Sequence, residues 1–255
     1  MGDQPEVAMG AEDQPPDAFP PTRRSVVRAL GSADVEVRQR AFDTLVRAYW
    51  QPVYKYIRLR WRVPREQAED LTQQFFTAAL EKAWLKGYDP ARARFRTFLR
   101  LCVDRDVAKT RRAAGRAKRG GDVTFVPLKF VDAEAQIRGA PAVAEGEAEE
   151  FFRREWVRAV FELAIERLRA ECAAAGKTVQ FRVFERHDVR PEGTGPAPTY
   201  AELAREHGIP ETQVTNYLAF ARKRLRQHVL EALAQLAGSD AEFAAEAREV
   251  LEFRA

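Results

Sequence analysis

The sequence predicts an all-α protein of two helical domains joined by a flexible acidic linker. Three observations carry that expectation. Apolar residues recur at three- and four-residue steps through most of the 255 residues. The recurrence lapses between residues 120 and 150, where acids gather. Prolines, glycines and capping residues stand where the periodic runs begin and end.

Composition narrows the function. A hydrophobic content of 45% supplies packed cores. The net charge is only +4, yet the basic residues are segregated: Arg92 to Arg119 holds eleven Lys/Arg against two Asp, a net of +9. Such a block predicts a polyanionic partner. Cys102 and Cys172 both fall on apolar-periodic helices, and His187, His207 and His228 are scattered, so neither metal nor cofactor is expected. No run of about 18 apolar residues exists to span a membrane, and the acidic, Pro-rich N-terminus does not read as a secretion signal. A cytosolic protein is the expectation.

In chain order, residues 1–21 carry five acids, five prolines and no Lys or Arg, and read as a disordered tail. Thr22 is placed to cap a short helix closed by Gly31. Ser32 or Asp34 starts a longer one along Val37, Ala41, Leu45 and Ala48, which Pro52 is expected to break or kink, with a further helix over Val53 to Trp61. Pro64 suits a first helical position. Beyond it Leu71, Phe75, Ala78 and Ala79 form an apolar stripe, while Asp70, Gln73, Gln74, Thr77 and Glu81 share a polar face. Asp89-Pro90 marks a loop. Phe95, Phe98, Leu99, Cys102, Val103 and Val107 line the next helix, whose second half is cationic, and Gly120-Gly121 closes the domain 22–119. Residues 120–150 form the acidic linker, with solvation as its default role and shielding of the basic helices as the alternative.

The second domain, 151–236, opens with a helix from Phe151 to Ala175 ended by Gly176. Gly176-Lys177-Thr178 looks like the end of a phosphate loop. The required earlier glycine is Glu171, so a nucleotide site is rejected. A helix over Val179 to Val189 and a Pro/Gly loop to Pro198 follow. Then Thr199, with Glu202 three residues on, forms a capping box for a short helix to His207. Gly208 permits a tight turn, and a second helix starts at Glu211 or Thr212. Ala204, Ile209 and Val214 fill the space beneath, the spacing of a helix-turn-helix. Gln213, Thr215, Asn216 and Ala219 point outward, then Arg222, Lys223, Arg224 and Arg226. Amides suit base edges and the cations suit phosphates. Residues 237–255 hold a last amphipathic helix, expected to pack on this second domain.

These residues resemble the sigma-70 family of bacterial RNA polymerase sigma factors, of the extracytoplasmic-function type. AYWQPVYKYIRLR, AEDLTQQFF and RFRTFLRLCVDRDVAKTRR resemble its region two, and TYAELAREHGIPETQVTNYLAFARKRLR its region four. The resemblance implies that Asp70, Gln73, Gln74 and Thr77 bind core RNA polymerase. It implies that the loop Tyr88 to Phe95, with Arg94 and Arg96, captures a base flipped from promoter DNA, aromatics being able to stack on any base; Tyr88 and Phe95 fit a core role equally well. Arg100, Arg105, Lys109, Arg111, Arg112 and Arg116 would hold the −10 element. Gln213, Thr215, Asn216, Ala219, Arg222 and Lys223 would read the −35 element. No catalytic residue, metal or cofactor is implied. The free protein is expected to be a monomer, with an anti-sigma factor left open as a partner.

The chain departs from the family at two places. Thr215, Tyr217 and Phe220 stand where basic residues are common, and Asp104 and Asp106 lie on the basic helix. A rival reading, a stand-alone helix-turn-helix regulator, would bind duplex DNA without polymerase. A nucleic-acid-processing enzyme would need converging carboxylates. The adjacent pair Glu69 and Asp70 point about 100° apart on a helix and do not converge.

Overall fold

Local sequence signals set most helix boundaries. A computed structural model describes residues 25–81, 84–113, 128–189 and 195–252, with the side chains of Trp84 and Lys86 excepted. Among them the chain is all-α, as expected, and contains ten α-helices. Helix α1 (Val26–Ala29) is preceded by Ser25; Thr22, the expected cap, lies outside the described residues. Asp34 caps α2 (Val35–Arg60), its carboxylate accepting from the Glu36 and Val37 amides. Pro52 neither ends nor divides this helix, which runs unbroken through the segment expected to be two helices. Proline costs a helix interior about 3 kcal/mol, and burial of α2 on several sides offsets it: Tyr49, Val53, Tyr54, Tyr56 and Ile57 are all buried.

Helix α3 (Arg65–Glu81) begins one residue after Pro64, whose carbonyl accepts from the Ala68 amide. Leu71, Phe75, Phe76 and Ala79 face inward. A 3-10 turn (Trp84–Gly87) and the Asp89 turn lead into α4 (Phe95–Ala113). Arg116 and Gly120-Gly121 lie outside the described residues.

The acidic stretch is structured where it is described again. Helix α5 (Phe130–Gln136) buries Phe130 and Ala133, and Ile137 and Val143 follow them into the core. Phe130 meets Tyr54 at 5.0 Å and Trp50 at 5.5 Å between ring centroids. Residues 128–150 therefore correct the expected loss of periodicity: Phe130, Ala133 and Ile137 stand at helical spacing, and their burial outweighs the solvation of the acids between them.

Helix α6 (Ala148–Ala174) is shared lengthwise. Its first half packs on α2, with Trp156 stacked on Tyr49 and Phe152 edge-on to Tyr56. Its second half meets α9 (Glu211–Leu236): Arg224 and His228 both bond Glu171, and Arg167 bonds Gln235. Helices α7 (Thr178–Asp188) and α8 (Tyr200–His207) complete that end. Buried residues from both ends belong to one continuous core. Helix α10 (Asp240–Glu252) follows directly on α9. It packs on α9 but turns its acids toward the start of α4, a contact the sequence reading did not anticipate. No helix among the described residues is long and apolar enough to cross a membrane.

Candidate nucleic-acid and partner interfaces

The expected sites fall on four surfaces in very different states. The first is the polar face of α3. Asp70, Gln73 and Gln74 are exposed and Thr77 is half-exposed, its hydroxyl donating to the Gln73 carbonyl. The apolar stripe that buries the other side of α3 turns these four residues outward, so sequence spacing and geometry agree.

The second surface is the outer half of α4. Arg105, Lys109, Arg111 and Arg112 are exposed along it. Of the two unexpected acids, Asp104 is tied inward: it accepts from Tyr56, Trp61 and Arg100 at 3.0, 3.2 and 2.8 Å. It orients Arg100 and leaves the outer cations uncompensated by that carboxylate. Sequence reasoning missed a neighbouring feature. Arg60 and Arg111 both lie over Trp61, at 5.9 and 5.7 Å from its rings. Arg62, in left-handed backbone at φ 50°, completes the basic wall of an open cavity of ≈ 600 Å³. Glu145 closes the opposite side, 3.4 Å from Arg60. The Arg60-Trp61-Arg62 triplet is the only signal of it in the sequence.

The third surface, the expected base-capturing loop, is covered. Phe95 is fully buried, with Tyr49 at 5.7 Å and Tyr88 at 5.1 Å. Tyr88 is half-buried, and its hydroxyl donates to Glu242 at 2.8 Å. Burial, then that bond, push the Tyr88 phenol well above its usual range. The Phe95 amide, at the first turn of α4, donates to the other Glu242 oxygen at 2.5 Å. Arg96 is only 5% exposed and bonds Glu246 at 2.7 Å. Arg94 bonds Glu249 at 2.6 Å, and Arg100 bonds Glu149 at 2.7 Å. In this state Tyr88, Arg94, Phe95, Arg96 and Arg100 are thus engaged within the chain, and Tyr88 and Phe95 take the core role that the sequence left open beside base capture. The physical reasons are apolar packing around Phe95 and charge complementarity with acids distant in sequence, Glu242, Glu246 and Glu249 on α10 and Glu149 at the start of α6.

The fourth surface is the helix-turn-helix. Thr199 and Glu202 form the expected capping box, Thr199 amide to Glu202 at 2.7 Å and Glu202 amide to the Thr199 hydroxyl at 3.3 Å. Gly208 takes the left-handed conformation, φ 63° and ψ 37°, that the turn requires. Val214 and Leu218 are buried beneath, and Ile209 half so. Gln213, Thr215, Asn216, Ala219, Arg222 and Lys223 are all exposed along α9. Arg222 is nonetheless committed: it grips Asp188 of α7 through two bonds of 2.7 and 2.9 Å. That pairing raises the guanidinium further above its already high range. Thr215 bonds back to the Glu211 carbonyl, and Lys177 lies 4.4 Å over the Phe220 ring. The exposed edge of α9 is therefore amide and hydroxyl in character, flanked by Lys223 and Arg226.

Among the described residues no cluster of His, Cys, Asp and Glu is arranged to hold a metal ion. No family model, curated protein or solved structure matches the chain.

Proposed function

We propose that the chain is an RNA polymerase sigma factor of the extracytoplasmic-function type. It docks on core polymerase through Asp70, Gln73, Gln74 and Thr77 and meets promoter DNA through α4 and α9. The polymerase carries out the chemistry; this chain supplies recognition. Opening of the duplex follows from binding energy placed on the unpaired strand.

The observation that carries this reading is the coexistence, in one core, of three separate exposed polar faces. One is a carboxylate-and-amide face on α3, one a cationic face on outer α4, and one an amide-lined recognition helix. A duplex-binding regulator has use for the last alone. The test is run-off transcription with purified core polymerase on DNA from upstream of the chain's own gene. Addition of the protein is expected to give a defined transcript. Asp70→Ala should reduce it at least about tenfold, the loss of a docking contact worth ~1.4 kcal/mol or more, without changing helix content. A transcript indifferent to Asp70→Ala would remove the docking assignment.

One observation favours the regulator as a second reading: the recognition helix is exposed while Arg94, Arg96 and Arg100 are engaged. Duplex binding that needs no polymerase, together with no transcript, would select it.

A further inference from the structure

Helix α10 carries Glu242, Glu246 and Glu249 at i, i+4 and i+7, one face of the helix. All three reach the start of α4. Glu242 accepts from the Tyr88 hydroxyl and the Phe95 amide. Glu246 accepts from Arg96, with Arg94 3.6 Å away. Glu249 spans both guanidiniums, 2.6 Å from Arg94 and 3.3 Å from Arg96. The lead-in to α10 is pinned as well. Arg28 donates to the Gly238 carbonyl at 3.1 Å, Ser25 to the Ala237 carbonyl, and the Gly238 amide to Glu242 at 2.7 Å. Gly238 lies so close to Tyr88 that an added Cβ would overlap the ring.

The receiving groups form an anion cradle: two guanidiniums, a phenol, and the Phe95 amide at the head of a helix. Such groups accept a carboxylate or a phosphate by the same charge-assisted bonds. Nor are the carboxylates comfortable there. Glu246 is 3% exposed and its Oε2 has no hydrogen-bond partner among the described residues. A buried carboxylate oxygen without a donor costs stability rather than adding it, so the cradle holds α10 less tightly than the number of ion pairs suggests.

We propose that α10 is an acidic latch, an internal competitor that occupies the nucleic-acid cradle of α4 until single-stranded DNA or another anion displaces it. The proposal rests on the reading of α4 as a DNA-binding element. It gives the C-terminal helix a regulatory role: the closed chain offers only outer α4 and the recognition helix, and the opened chain adds Tyr88, Arg94, Arg96 and the Phe95 amide.

The test uses the full chain, a chain ending at Ser239, and the double variant Glu246→Gln/Glu249→Gln, which keeps α10 but removes two of its charges. Each is titrated with a fluorescein-labelled single-stranded DNA 25-mer at low salt, followed by anisotropy. Latch opening is read independently from hydrogen exchange at the Phe95 amide, and helix content from circular dichroism. A closed state dominant by ten to one or more predicts that opening tightens binding about tenfold or more. Both altered chains should show faster Phe95 exchange together with that gain, and adding Arg94→Ala, which removes a cation that only opening frees, should reduce the gain. Faster exchange with affinity equal to that of the full chain would overturn the latch and leave DNA binding by α4 intact. Unchanged Phe95 exchange in the chain ending at Ser239 would overturn the closed contact itself. Failure of the opened chains and the full chain alike to bind DNA would overturn both the latch and the DNA reading beneath it.

Discussion

Lys55 of α2 points at α6 with a side chain only 1% exposed, facing Glu155 at 4%. Its ammonium donates to Glu155 at 2.8 Å and also to Gln136. Burial lowers the Lys55 pKa, and Glu155 opposes that shift without cancelling it. Such a pair adds little net stability over an apolar pair, but removal of one partner strands the other. Lys55→Ala leaves Glu155 with Arg158 alone, at 3.1 Å. It is expected to cost about 3 kcal/mol, read from the urea midpoint, whereas Lys55→Met/Glu155→Leu should recover most of that loss. A single variant within about 0.5 kcal/mol of wild type would show that water reaches the pair. Asp104 poses the converse lesson at the same scale. Read from the sequence it is an acid misplaced on a basic helix; in the fold it holds Arg100, Tyr56 and Trp61 together.

Elements were legible wherever their determinants lie within about four residues of one another. The Thr199–Glu202 box and the Gly208 turn are local chemistry and form where the sequence places them, and of the two starts it offers for α2, Ser32 and Asp34, the fold uses Asp34. The α3 faces follow from spacing alone. What could not be read depends on distant partners. Pro52 stays helical because α2 is buried on several sides. Helix α5 was hidden because it is only 7 residues long, too short for a helical period to stand out, and acids are interleaved with its apolar residues. The cover over Phe95 was hidden because nothing near Arg94 or Arg96 announces Glu246 and Glu249. The local character of the helix-turn-helix gives its own expectation. Thr199→Ala removes the hydroxyl half of the capping box, leaving the residue-199 amide to donate to Glu202, and should cost about 1 kcal/mol. Exchange protection should drop at the α8 amides and remain unchanged in α3. Equal loss in both helices would mean that the cap supports the whole fold rather than one element.

At the scale of the whole molecule, ion pairs between helices set the response to acid. Burial raises the Asp188 pKa, but bonds from Arg222 and His187 outweigh it and leave the carboxyl below its usual value. Bonds from Arg224 lower Glu171, and bonds from Arg94 lower Glu249. Depressed folded-state values mean stability that is present above the ordinary carboxylate range and is lost as pH falls through it. Glu246 has the opposite sign, since burial raises it; its protonation relieves a penalty first. The urea midpoint should therefore hold level or rise slightly from pH 7 toward 5, then fall steeply below about pH 4. A midpoint that keeps rising below that range would mean these ion pairs do not persist in solution.

The lengthwise sharing of α6 also bears on how such a chain can change over generations. Phe152, Glu155 and Trp156 are aimed at α2, while Arg167 and Glu171 are aimed at α9, along one uninterrupted helix. One residue inserted between these sets would swing one half by about 100° against the other. Either Trp156 would leave Tyr49, or Glu171 would leave Arg224. Seven inserted residues, about two turns, nearly restore the facing but separate the two sets by a further ~10 Å. Insertions and deletions should accordingly be purged from the middle of α6. The two halves of the protein are bound to be inherited, exchanged and lost as one piece.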